Sequence, residues 1–151
     1  RDGRDVAVSL WRTKSLQHPD WRELSFSEFL RKPLDWYHTP GIRADYGFSV
    51  PKLWKRHVTS WLVHQNRTHD RPKYVRYEEL LLHLEATLDR LAGELEIVPW
   101  SWPPKPVEEK VGIEPHQGVV GGWRDVFSEE DLIYFHSIVP REFPGLWEKG
   151  E

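Results

Sequence analysis

Residues 1–9, RDGRDVAVS, set two guanidinium groups and a hydroxyl around an Asp-Gly turn at the head of an apolar helical pattern. Those groups could hold an anion. With a buried strand ending just ahead of it, Arg1 would stand at the strand's carboxyl end, and the turn would aim a helix N-terminus into the same crevice. Free amides and the helix dipole there favour negative charge. Arg1 adds a planar, permanently charged donor fork suited to phosphate or sulfate oxygens, and Ser9 adds a hydroxyl. A capped helix with solvated arginines explains the same residues. A second stretch, HQGVVGGWRDVFSEEDL at 116–132, gathers Gly118, Gly121 and Gly122. Glycines let the backbone approach a ligand, and successive amides can form an anion-binding concavity; a Gly turn before a helix reads the same way. The third, YVRYEELLL from residue 74, offers Tyr77 as an aromatic face for a base or ring. Core packing of Tyr77 and capping by Glu78 and Glu79 are the alternative there.

Composition narrows the function classes. The 151 residues carry 21 Lys and Arg against 24 Asp and Glu, a formal net charge of −3. General nucleic-acid or membrane-surface binders lean on a basic excess, so any polyanion contact must be local. The absence of cysteine removes disulfides, thiolate metal sites and a cysteine nucleophile, and it fits a reducing, cytoplasmic setting. No apolar run reaches the roughly 18–20 residues of a membrane span. The eight histidines include no HExxH pair, and neither GxSxG nor GxxxxGK[ST] occurs.

The elements that must position these residues read as mixed α and β. Asp2 can cap a first helix, with Asp5 answering three residues on as a capping box. A short helix follows Ser25 and stops at Pro33, and residues 33–48 form an irregular loop rich in Pro, Gly and aromatics. Ser49-Val50-Pro51 opens a helix with Leu53, Trp54, His57, Val58, Trp61 and Leu62 on one face, His57 as a satisfied core residue and Lys52, Lys55 and Arg56 off the stripe. Residues 73–77, KYVRY, suit a short strand leading into a long helix with Leu80, Leu84, Leu88, Leu91 and Leu95 inward. Five prolines make 98–117 mostly loop, where Trp100 and Trp102 could line an apolar pocket. Ser128 caps a last helix through Val139. Alternating strand and helix units predict an α/β sheet flanked by helices.

In order and spacing, the three features resemble the C-terminal half of sulfotransferases that use 3′-phosphoadenosine 5′-phosphosulfate. RDGRDVAVS matches that family's Arg-x-x-[Arg/Lys]-Asp-x-x-x-Ser motif, Tyr77–Leu80 its Tyr-Glu-[Asp/Glu]-Leu stretch, and HQGVVGGWRDVFS its Arg-Lys-Gly-x-x-Gly-Asp-Trp-[Lys/Arg]-x-x-Phe-[Thr/Ser] loop. Gly118, Gly121, Trp123, Arg124, Phe127 and Ser128 agree with the loop, and His57, Val58 and Trp61 match a His-Val-x-x-Trp segment.

The resemblance implies a P-loop-like parallel sheet flanked by helices, with residues 1–151 as the C-terminal portion of one domain. It implies sulfuryl transfer to a hydroxyl or amine of a small acceptor, without a metal. Arg1 and Ser9 would hold the donor's 3′-phosphate and Tyr77 the adenine, with His116, Gln117 and Gly118 completing the grip on donor or product, adenosine 3′,5′-bisphosphate. Where the family has Arg-Lys, His116-Gln117 lowers the permanent charge on that phosphate. The family's phosphosulfate-loop lysine and catalytic base are expected upstream of Arg1. Tryptophan-rich loops suggest an apolar or aromatic acceptor. A nucleotide-holding fragment or degenerate member without transfer activity is the alternative.

Overall fold

The computed structural model describes residues 1–13, 21–33, 47–65, 74–97, 119–144 and 146. The chain divides into two compact units, Arg1–Arg71 with Gly121–Glu151, and Pro72–Val120.

In the first unit, α1 (Gly3–Arg12) starts on Asp2, whose carboxylate accepts from the Arg4 amide. This satisfies a backbone donor that no helix can satisfy from within. Ser25 starts α2 (Phe26–Arg31) through a reciprocal capping box with Glu28. Pro51 occupies the first turn of α3 (Val50–Gln65), where its missing N–H costs nothing. Its Ser49 accepts the Tyr134 hydroxyl proton at 3.0 Å, which ties the start of α3 to the later chain.

After a short 3-10 turn (Gly122–Asp125), Ser128 and Asp131 form a second capping box at the head of the last helix. The second unit's helices are α4 (Tyr77–Leu82) and α5 (Leu84–Leu95), and the last helix of the first unit is α6 (Glu129–Ile138).

The core of the first unit is largely aromatic. Phe29 and Phe135 are completely buried. Trp123 meets Phe127 edge-on at 5.9 Å, Phe127 meets Phe135 at 5.9 Å, and Phe135 lies 6.5 Å from Trp54, which meets Phe143 at 5.7 Å. Such offset and edge contacts suit the ring quadrupoles and add to the burial of large apolar area. Gly3 lets α1 come this close to Trp54, since a Cβ there would sit 2.6 Å from the indole.

The expected α/β architecture is overturned. Among the described residues there is no strand and hence no parallel sheet, so neither the α/β nor the P-loop-like description holds for them. The strand expected at 73–77 fails at its described part: residues 74–76 have no regular structure and Tyr77 already opens α4. A single short strand leaves its N–H and C=O groups without a ladder, whereas a helix pairs them internally. Glu78 and Glu79 in the first turn also favour a helix start.

The long leucine helix is likewise two helices, broken at His83, whose backbone leaves the helical region at φ −140° and ψ 48°. Leu84 and Leu95 are exposed rather than inward. Thr87 donates to the Glu79 carbonyl across the break at 3.2 Å, and Arg90 bridges Glu79 and Glu94. His57 is exposed too, accepting from the Trp61 indole at 3.2 Å. The helical stripe therefore buries Trp54 but runs into solvent by Trp61, which is 48% exposed.

Two substitutions test these assignments. Gly3→Ala is expected to destabilise by about 1–3 kcal/mol because the added methyl overpacks against Trp54. Gly93→Ala, where a Cβ meets nothing within 4 Å, is expected to stabilise α5 by about 0.5–1 kcal/mol. Thermal unfolding of both variants checks the opposite signs.

Asp131 supplies a pH signature. Burial raises its pKa, but hydrogen bonds from Arg31, Ser27 and Ser128 outweigh that and hold it below the ordinary 3.8. Because the folded pKa is depressed, the contribution is complete above the unfolded value and is lost as pH falls through the folded one. The wild-type urea midpoint should fall further between about pH 6 and about pH 3 than that of Asp131→Asn. Equal falls in the two proteins would contradict the assignment.

Candidate functional site

The site forms where the first of these stretches, residues 1–9, meets the second, the glycine-rich one at 116–132. Asp5, in the first turn of α1, accepts the Gly121 amide at 2.7 Å and the Trp123 amide at 3.0 Å. The donors lie 116 and 118 residues away in sequence. The expected capping-box role of Asp5 is therefore replaced by a long-range one. Gly121 makes the approach possible: its φ of +78° is left-handed backbone, which glycine adopts without a Cβ penalty.

Arg4 completes the joint. Its guanidinium pairs with Asp2 through two bonds, 3.1 Å from Nε and 2.7 Å from Nη2, with the arginine 2% and the aspartate 1% exposed. The same guanidinium lies 4.0 Å from the Trp123 ring centroid. A planar cation can take a carboxylate in its plane and an aromatic ring on its face. Trp123 itself is 7% exposed, and its indole Nε1 has no hydrogen-bond acceptor among the described residues.

Burial raises the pKa of Asp5. The Gly121 and Trp123 amides oppose that shift, Asp2 adds to it, and the positive charge of Arg1 also lowers it. Arg1 is thus close enough to act on Asp5 electrostatically. Ser9 lies four residues beyond Asp5, on the same helix face, and is half-buried. Asp5 and Ser9 therefore share one side of α1, the side on which Asp5 meets the glycine loop, and Arg1 lies just ahead of the helix.

The helix N-terminus contributes less to an anion than the sequence suggested. Asp2 already takes the Arg4 amide and brings its own negative charge to that end. Ligand oxygens at this face would depend on the Arg1 guanidinium and the Ser9 hydroxyl.

Of the other expected contacts, Tyr77 belongs to the second unit, where it is half-buried as the first residue of α4 behind Arg76. His116, Gln117 and Gly118 lie outside the described residues, as do Trp100 and Trp102. Sequence reasoning named Arg1 and Ser9 but missed Arg4, Asp5 and Trp123 as the frame that holds them. The available signal was an acidic residue inside the first motif together with a Gly-Gly-Trp run carrying spare amides. No helix among the described residues is long and apolar enough to cross a membrane. Nor do they include a group of three or more His, Asp or Glu able to hold a metal ion.

Asp5→Asn keeps the shape but turns an amide N–H₂ toward one of the two backbone donors. Leaving a buried donor unpaired is expected to cost about 1–3 kcal/mol, read as a lower unfolding midpoint near neutral pH. An unchanged midpoint would show that the clamp contributes nothing.

No protein-family model matches this chain, and no curated protein or solved structure matches it.

Proposed function

We propose that the chain supplies the 3′-phosphate and adenine side of the donor site of a sulfotransferase that uses 3′-phosphoadenosine 5′-phosphosulfate. One observation carries the reading: Asp5 binds the Gly121 and Trp123 amides. Two stretches singled out for anion binding, at opposite ends of the sequence, thereby become one local structure. Helical conformation is no obstacle to this role, since the phosphate contacts need only the start of α1 and the loop held against it.

In this reading Arg1 grips phosphate oxygens through its donor fork and Ser9 donates its hydroxyl. The indole N–H of Trp123 is a further donor still without an acceptor among the described residues. The resemblance would assign the adenine to Tyr77 and further donor contacts to His116, Gln117 and Gly118. The reaction moves a sulfuryl group in line from the donor phosphate to an acceptor hydroxyl or amine. The acceptor proton passes to a base, and adenosine 3′,5′-bisphosphate leaves. Positioning and charge stabilisation supply most of the rate in such transfers. The acceptor is a small molecule with an apolar or aromatic body, and the setting is the reducing cytoplasm.

Calorimetric titration with adenosine 3′,5′-bisphosphate, beside AMP as control, tests the proposal. Binding is expected to require the 3′-phosphate. Arg1→Ala and Ser9→Ala are each expected to weaken it by about 1–3 kcal/mol, the cost of losing a hydrogen bond to a charged group. Equal affinity for AMP, or equal affinities in wild type and both variants, would defeat the assignment. Retained nucleotide binding with no sulfuryl transfer to any phenol or amine would favour a holding role without catalysis.

A further inference from the structure

A second feature lies on the face of α3 that the core does not use. Lys52, Lys55, Arg56 and Val63 follow one another at spacings of three, one and seven residues, so they fall along one side of the helix. With Phe48 and Ile138 they line an open groove of about 760 Å³. The size is within the range of small-molecule sites, and no carboxylate lines it among the described residues. In a chain with net charge −3 this is a local concentration of positive charge.

The cations are held over apolar surface. Lys55 donates to the Ile138 carbonyl at the end of α6 at 2.8 Å and sits 5.9 Å from the Phe143 ring. An ammonium has three donors, so this bond fixes its place without exhausting it. Arg56 lies 5.4 Å from the centroid of Phe48. Lys52 is exposed and forms no ion pair among the described residues. An aromatic and aliphatic floor beneath a cationic rim suits one kind of ligand: a small apolar body carrying one anionic head.

We propose that the groove between α3 and the end of α6 is a binding site for small amphipathic organic anions, such as an aryl sulfate, phosphate or carboxylate. The apolar body lies against Phe48, Val63 and Ile138, and the anionic head meets Lys52, Lys55 and Arg56. This assignment stands on the groove alone and does not depend on the donor-site reading.

The test is calorimetric titration of the whole chain with 2-naphthyl sulfate, with 2-naphthol and inorganic sulfate as controls. Wild type should bind 2-naphthyl sulfate at least about tenfold more tightly than either control, since both the head and the body contribute. Lys52→Glu should weaken that binding by at least about tenfold, and Lys52→Arg should retain it. Lys52 is exposed, so both variants should keep the wild-type circular dichroism; Val63→Asp, also at an exposed position, serves as an independent second disruption. Excess adenosine 3′,5′-bisphosphate should not displace the ligand. Equal affinity in wild type, Lys52→Glu and Val63→Asp would overturn the site, as would displacement by the bisphosphate. Capture of the protein by anionic phospholipid vesicles without binding of 2-naphthyl sulfate would also overturn it.

Discussion

The Asp5 carboxylate is the point on which the first unit depends. It receives two backbone amides from a glycine-rich loop more than a hundred residues away. A buried carboxylate is costly unless its oxygens are bonded, and a buried loop must place its own N–H groups somewhere. Each partner answers the other's requirement. Trp123 follows the loop into the interior, where Arg4 lies over its face and Phe127 against its edge. The aromatic run from Trp123 to Phe143 can then pack as one core.

That frame explains why a charged pair sits almost completely out of water. Arg4 and Asp2 are bonded to each other through two contacts, Asp2 is also bonded to the start of α1, and Arg4 is covered by Trp123. Removing either charge would strand the other, which is the costly case for buried pairs. Arg1, just ahead of α1, and Ser9, within it, are both half-buried beside this frame. A rigid frame with adaptable polar groups at its edge is what an anion site needs.

A comparable division of labour appears in the first two turns of α3. Its apolar face supplies Trp54 to the core, while the opposite side presents Lys52, Lys55 and Arg56. Asp131 cross-links α6 to α2 through Ser27 and Arg31, and Lys55 joins α3 to the last carbonyl of α6. The helices of this unit are thus stitched by side chain bonds at their ends as well as by rings at their centres.

By itself the sequence determined where α1, α2 and α6 begin. Asp2, Ser25 and Ser128 each cap through bonds that span no more than three residues, so their effect is visible in any short window. It also offered Arg1, Ser9 and the glycine loop as separate anion-binding candidates, which only the resemblance to sulfotransferase motifs joined into a set. Only the tertiary structure decided the rest. Whether residues 74–76 form a strand depends on a neighbouring strand to pair with, and the described chain offers none. Whether Leu84, Leu95 and His57 are buried depends on what packs over them, which helical periodicity cannot say. Asp5 looked like a cap because a local partner was in view; its true partners arrive by the path of the chain. The basic groove emerged for the same reason, since Ile138 closes it only after α6 has come to lie beside α3.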